Sequence, residues 1–494
     1  VCAPWMVDGV PDDFSFGEIA PDWNRMTPFL EKAMSRIPIS TEVGISKFFC
    51  GPESFTPDLG VAFGESAEIG NYFVAAGLNS IGIITGGGLG KIMAQWITTG
   101  DPGADITPIN VDRFHPYQCN PAYRKTRVVE ILGMVYRRHY PTRVPETARD
   151  CKRSPFHEHL YRERAFFTDV SGWESPAWYA PEGKEPVVEK LSWGRQNWFP
   201  YWEAEHRACR EGVIAMDMTF MGKFLVQGRD AGKVLDHISA NSVNGPVETI
   251  TYTQWLNERG LIEADVTVTK LTEEKFIVVV TDTMHRHVET WLRRHIPADA
   301  HCFMTDITGG IGQLNVQGPR SRALLQSITS ADLSNEAFPF RTSRQIDIGY
   351  ALLQCNRITY VGELGYELNI PAEQAVHVYE RVVEAGKDFG LRHAGLKALG
   401  SLRMEKGYRD YGHDIDNTDD ALEAGLGFVV DLNKPDFIGK AHCVEKKVQG
   451  PAYNRRLLQV LVKDPEPLLY HAEVVSRNNK AVGYIRAASY GFTL

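Results

Sequence analysis

The stretch Leu256-Asn257-Glu258-Arg259-Gly260-Leu261-Ile262-Glu263-Ala264-Asp265-Val266-Thr267-Val268 leads into a strand that runs from Asp265 to Lys270. It sets a carboxylate at a strand end, where a lone aspartate is ordinarily a cap or a turn residue. Outward from it the alternation of apolar and polar residues continues. Val213–Met218, Gly222–Gln227, Phe276–Val280, Gly312–Val316, Gln345–Leu353 and Arg357–Tyr360 read as strands. Helical spacing falls between them, over Gly232–Ser239, Met284–Ile296, Arg320–Ser327, Ala372–Phe389 and Gly395–Glu405. That order predicts an α+β fold with mainly antiparallel sheet from about residue 206.

Residues before 206 read differently. Thr27-Pro28 marks a helix start, with threonine as cap and proline at the first helical position. Tyr72-Phe73-Val74-Ala75-Ala76 is a short buried strand closed by Gly77. The cluster Gly86-Gly87-Gly88-Leu89-Gly90 then reads as a loop before a helix over Lys91–Ile97, which Gly100 and Pro102 stop. From 111 to 205 the chain is rich in Arg, His, Tyr, Trp and Pro and has little periodicity. It reads as a connector with one helix near Lys125–His139, and Trp173, Trp178, Trp193, Trp198 and Trp202 as a packing surface between domains. After Pro451 a new strand set begins, over Arg455–Val462, Glu473–Ser476 and Val482–Arg486.

With 494 residues, 43% hydrophobic and 23% charged, the chain has the composition of an ordinary globular protein and a length that suggests about three domains. Its formal charge of −9 argues against nucleic acid or an anionic membrane as main partner, because both take cationic surface. The eight cysteines form no CxxC pair and no His/Cys cluster, which fits free thiols in a reducing compartment and no metal site. No run of about 18 apolar residues is present to span a membrane. The chain opens at Val1 and stops at Leu494 soon after a strand, so both ends read as cuts, and the chain as a fragment of a longer protein.

Bare N–H groups at a helix N-terminus carry partial positive charge, and glycine lets a ring edge approach closely. Gly86–Gly90 departs from GxGxxG and alone reads as a tight turn. Taken with Cys50-Gly51-Pro52-Glu53-Ser54-Phe55-Thr56-Pro57-Asp58 and Asn71-Tyr72-Phe73-Val74-Ala75-Ala76-Gly77-Leu78-Asn79-Ser80, it resembles the closing segment of the flavin-dependent amine oxidase domain in the sarcosine/dimethylglycine dehydrogenase family. The resemblance implies that Thr56, Gly86, Gly87, Gly88 and Gly90 lie on the flavin side, with the helix N-terminus aimed at the isoalloxazine. Ile84 stands where simple sarcosine oxidases carry a substrate-binding lysine. The dinucleotide-binding half of that domain is expected upstream of Val1.

Leu256–Val268 resembles the aspartate strand of the glycine-cleavage aminomethyltransferase fold. Ile358-Thr359-Tyr360-Val361-Gly362-Glu363-Leu364-Gly365-Tyr366-Glu367-Leu368 resembles its pterin-binding hairpin. Ser401-Leu402-Arg403-Met404-Glu405-Lys406-Gly407 and Leu422-Glu423-Ala424-Gly425-Leu426-Gly427-Phe428 complete the set. A pterin 2-amino group and N3–H form a donor pair that one carboxylate accepts in plane, and Glu367 matches the family's residue for that task. Asp265 matches the acidic residue near the folate amines and is implied to be catalytic, taking a proton as N5 or N10 attacks formaldehyde or an iminium. Tyr360 is implied to pack or hydrogen-bond at the pterin, and Phe428 to stack where a relative has tyrosine. Leu399 replaces an arginine of the aminomethyltransferase, Arg403 reads as structural, and His413 as part of a local turn.

The resemblance divides the chain into the C-terminal part of an FAD-dependent oxidoreductase domain (1–110), a connector (111–205), an aminomethyltransferase-like folate-binding domain (206–450) and the start of a small β-domain (451–494). It implies oxidative N-demethylation of sarcosine by FAD, trapping of the one-carbon unit on tetrahydrofolate, transfer of electrons to an electron-transfer flavoprotein, and a place in the mitochondrial matrix. Dimethylglycine dehydrogenase activity is the alternative, as is a non-catalytic role like that of the pyruvate dehydrogenase phosphatase regulatory subunit. The chain alone is expected to bind reduced folate weakly and to lack dehydrogenase activity.

Overall fold

Asp22 starts the first helix. Its side chain accepts the backbone N–H of Arg25 at 2.9 Å and caps α1 (Trp23–Arg36). The helix start expected at Thr27-Pro28 is therefore corrected: aspartate is a strong cap, and Pro28 lies inside the helix. The computed structural model describes residues 12–15, 17–450, 453 and 455–494, so Val1 and Cys2 lie outside the described residues.

Strands β1 (Ala62–Glu65) and β2 (Phe73–Ala76) pair antiparallel and lead to α2 (Gly82–Thr99). The loop expected at Gly86–Gly90 is a second correction, since all four glycines are helical. Glycine permits a left-handed turn without requiring one. Here positive φ occurs at Gly77 before the helix and at its C-cap Gly100, and at none of the four between. A small core of Val61, Phe63 and Ile106 packs against Leu89, Ile92, Met93 and Trp96.

After α3 (Pro121–Leu132) and α4 (His157–Arg162) comes a hairpin of β3 (Ala165–Val170) and β4 (Trp173–Tyr179), then α5 (Phe199–Glu211). The reading of 111–205 as a connector missed this. Every residue of β4 is buried. Trp173, Trp178, Trp198 and Trp202 share one core with Ile214, Met216, Ala398 and Leu402, while Trp193 is half exposed. Large rings that pack on several sides leave no period for a pattern search to find.

Two sheets follow. In chain order the elements are β5 (Ile214–Asp217), β6 (Gly222–Gln227), α6 (Ala231–Ile238), β7 (Ile250–Leu256), β8 (Ile262–Thr272), β9 (Lys275–Val280), α7 (His285–His295), β10 (Phe303–Asp306), β11 (Ile311–Gln317), α8 (Ser321–Gln326), β12 (Thr342–Ile348), β13 (Ala351–Arg357), β14 (Gly365–Pro371), α9 (Ala375–Gly386), β15 (Arg392–His393) and α10 (Leu396–Glu405). A five-stranded sheet has the order β10-β6-β9-β8-β7, and a six-stranded sheet the order β12-β13-β14-β11-β5-β15. Every strand pair in them is antiparallel except β15 with β5. Gln345–Leu353, expected as one strand, is a hairpin that turns at Gly349, where φ is +59°. Arg357–Tyr360 is a strand only at Arg357; a loop then runs to Leu364.

Each sheet packs a face on a core of its own, and β5 also turns Ile214 and Met216 into the tryptophan core on its other face. Phe224, Val226, Val266, Val268, Val278 and Val280 belong to the core of the first, and Leu314, Val316, Leu353, Tyr366, Leu368 and Ile370 to that of the second. Beyond them lie α11 (Lys440–Gln449) and a last hairpin, β16 (Val474–Arg477) with β17 (Lys480–Tyr484). The described part of Arg455–Val462 forms no strand, and Leu458, Val460 and Leu461 are exposed. Alternation without a pairing partner does not make a strand. The described architecture is α+β, as the sequence predicts.

Candidate functional site

Along β14 the apolar Tyr366, Leu368 and Ile370 enter a core, so Glu367 between them points to the opposite face. Register then sets its neighbours. Glu367 lies opposite Asn315 of β11 on one side and Asn356 of β13 on the other; Asn356 lies opposite Ser343 of β12 and Asn315 opposite Met216 of β5. The result is a cross-strand row, Ser343–Asn356–Glu367–Asn315–Met216, with one carboxylate between two amides. Asn315 Nδ2 lies 3.5 Å from Glu367 Oε1, and Asn356 also donates to the carboxylate. Gln313 Nε2 in turn holds Asn315 Oδ1 at 3.1 Å, and Ser343 Oγ donates to Asn356 Oδ1 at 2.5 Å.

Burial pushes the Glu367 carboxyl up to about 7, against the pull of Lys223 and the two asparagines. Lys223 comes from β6 and is fully buried, its Nζ donating to the carbonyls of Thr219 (3.1 Å) and Met221 (2.8 Å). Burial brings its ammonium down to about 7, although Asp217, Glu367 and Asp306 all favour the charge.

Asp265 sits on β8 directly opposite Gln254 of β7. Its Oδ1 accepts from Gln254 Nε2 at 2.8 Å, and the Tyr252 hydroxyl also donates to it. Burial lifts its carboxyl to about 6, with Asp410 adding to the rise and Arg409 opposing it. Tyr360, in the loop before β14, donates from its hydroxyl to the Arg409 carbonyl at 2.5 Å, stacks on Tyr408 at 6.1 Å and feels the Asp265 charge. Phe428 lies 6.4 Å from the Tyr252 ring and is 76% exposed. The structure thus gathers Asp265, Tyr360 and Phe428 around Tyr252, while Glu367 stands on the other sheet beside Lys223. The loop carrying Tyr360 leads directly into the strand of Glu367.

The flavin-side residues lie elsewhere. Thr56 is buried, its backbone N–H donating to Asn79 Oδ1 at 2.9 Å and its hydroxyl paired with the Asn79 side chain. Gly86 and Gly90 line a mainly apolar hollow of about 390 Å³ with Ala75, Leu78, Met93 and Ile97. Ile84, in the first turn of α2, projects outward. Arg403 is buried and ion-paired with Asp414, and His413 reaches Asp410 at 3.1 Å. Sequence reasoning missed Tyr252, Gln254, Lys223, Asn315 and Asn356. A signal existed for Lys223: it is a charged residue inside a strand read from the sequence, followed by the apolar run Phe224-Leu225-Val226.

A charged clasp joins the early residues to this unit. His287 of α7 lies between Asp112 (2.7 Å) and Glu263 (3.0 Å). Burial works against its charge, but the two carboxylates outweigh it and raise the imidazole to about 10. Arg259 adds a contact to Asp101 at 3.0 Å.

Residues 156–434 match the GCVT N-terminal domain. The chain belongs to that family. Residues 99–154 match the FAD dependent oxidoreductase central domain, so a flavoenzyme module and an aminomethyltransferase-type module occur in one chain. The chain is 39% identical over 492 residues to a 4-methylaminobutanoate oxidase (formaldehyde-forming) of Paenarthrobacter nicotinovorans, covering 99% of this chain and 59% of that protein. It is 33% identical to human mitochondrial sarcosine dehydrogenase, covering 99% of this chain and 57% of that one. The chain therefore spans less than two thirds of the length of these relatives. The aminomethyltransferase T of the glycine cleavage system from Bartonella henselae shares its fold at a TM-score of 0.57 and 21% identity, over 70% of this chain and 87% of that chain.

Proposed function

We propose that this chain is the folate-binding part of an FAD-dependent oxidoreductase that removes an N-methyl group from an amino acid and passes the carbon to tetrahydrofolate. The observation that carries this reading is Glu367, the one carboxylate in a cross-strand row, set between the amides of Asn356 and Asn315. A ring that offers two parallel N–H groups meets two acceptor oxygens there, and Asn315 and Asn356 hold the carboxylate in place. The side-chain oxygen of Gln313, next to Asn315, is buried without a hydrogen-bond partner, so an acceptor remains for a polar ligand.

Asp265 is the group we assign to the proton. When a folate amine forms its bond to the one-carbon unit, the nitrogen must lose a proton, and a carboxyl that titrates near 6 is ionised and able to take it at neutral pH. Tyr360 and Phe428 would flank the bound ring, Phe428 from the open side. FAD, when bound, supplies the hydride acceptor for the N-methyl group; Thr56 and Gly86, Gly87, Gly88 and Gly90 are the residues we place towards it.

Sarcosine is the substrate we put first. The name of the relative at 39% identity makes 4-methylaminobutanoate the alternative to test beside it, ahead of dimethylglycine. An electron-transfer flavoprotein is the proposed electron acceptor, and the mitochondrial matrix the proposed location; the name of the human relative says mitochondrial. Among the described residues no helix is long and apolar enough to cross a membrane.

The test is titration with 5-formyltetrahydrofolate and the rate of formaldehyde condensation with tetrahydrofolate. Glu367→Gln should weaken binding at least about tenfold. Asp265→Asn should keep binding and slow the condensation. Unchanged behaviour of both variants defeats the assignment.

A further inference from the structure

Gln254 is fully buried in β7, yet its side chain makes one hydrogen bond only. Nε2 donates to Asp265 Oδ1 at 2.8 Å, and Oε1 has no partner. The amide orientation is fixed by chemistry, since a carboxylate can take only the N–H end. Leaving a buried acceptor unsatisfied lowers stability. Its single side-chain hydrogen bond goes to Asp265.

The neighbours make the same point. Gln254 and Asp265 are paired across β7 and β8, with Trp255 and Ala264 beside them in the apolar core. Tyr252 is the second donor to Asp265. The charged and titratable groups that face Asp265 from other elements are Asp410, Arg409 and Tyr360. None of these three replaces the N–H of Gln254.

We infer that Gln254 is a positioning residue, which fixes the Asp265 carboxylate and favours its ionised form at a cost in fold stability. This rests on the proposed role of Asp265 for its meaning in catalysis, but not for its test. A donor to the charged form of an acid lowers its pKa; the rise of Asp265 to about 6 by burial is what Gln254 restrains.

The experiment uses the full chain with carboxyl-¹³C aspartate, the Asp265 signal being assigned by its loss in Asp265→Asn. In Gln254→Leu and Gln254→Met the Asp265 midpoint should move up by about one pH unit, while the melting temperature, taken well below that midpoint where Asp265 is protonated in the folded chain, stays level or rises. An unmoved midpoint in folded variants overturns the inference. A lowered melting temperature with an unmoved midpoint shows instead that Gln254 serves the fold. The pH dependence of formaldehyde condensation is then measured in the same variants, and its acid limb should shift with the midpoint. A shifted midpoint with an unshifted limb leaves Gln254 as the residue that sets Asp265 and removes Asp265 from the folate chemistry.

Discussion

Glu367 and Gly86 were singled out from motifs of similar length, and their surroundings differ. Glu367 lies in a strand with partners on both sides, and the register brings Asn315 and Asn356 to it from positions far along the chain. Gly86 lies in a helix whose hydrogen bonds are local, against a core of three buried apolar residues, with Ile83 and Ile84 exposed beside it. A motif becomes a site where distant strands converge on it. Where its neighbours are local, only a local conformation is decided.

The strongest way to break that comparison is to remove a core residue. Trp255 is fully buried and donates to Ser239 Oγ at 3.0 Å. Trp255→Ala should cost about 3–5 kcal/mol and lower the calorimetric transition of the two-sheet unit, while the early residues keep theirs. A single shared transition would make the two regions one cooperative body. Next is the clasp. A histidine raised in the folded state stabilises fully below its unfolded value of 6.5 and loses that contribution as pH climbs through about 10. His287→Leu should therefore destabilise by on the order of 2–4 kcal/mol near neutrality, less in denaturation curves taken above about pH 10.

A smaller effect tests the site itself. Glu367 is an acid raised to about 7, so the folded unit holds a proton that the unfolded chain gives up. Stability attached to this group is complete below the unfolded value of 4.5 and falls as pH rises through about 7, whereas a ligand that needs the carboxylate binds better over that rise. Affinity for 5-formyltetrahydrofolate should fall below about pH 7 by up to about tenfold per unit, and Glu367→Gln should flatten the profile. The smallest effect is on the flavin side. Thr56→Val removes one hydroxyl from Asn79 and should cost about 1 kcal/mol with no change in folate binding.

The two-sheet fold was legible because its strands are short apolar or alternating runs: β5, β6, β9 and β11 lie within about one residue, at each end, of the runs read for them. Asp265, Glu367 and Tyr360 were legible only through a family resemblance, since an aspartate or glutamate on a strand has no mark of its own. Gln254 and Asn315 went unread because their meaning lies in cross-strand pairing, which sequence spacing does not encode. The glycine cluster misled for the opposite reason. Four glycines signal freedom, and the helix from Gly82 to Thr99 makes no use of it.

Strand β5 has a consequence for how the protein is made. All four of its residues are buried, yet it pairs antiparallel with β11 and parallel with β15, so Ile214 waits for Gln317 on one edge and Arg392 on the other. Synthesis proceeds at about 5–20 residues per second, and an apolar strand with open edges is a template for unwanted pairing. For many seconds on the ribosome the nascent chain therefore shows a bare strand that only its own later residues can cover. A chain stalled short of Arg392 is a client for chaperones rather than a smaller folded protein.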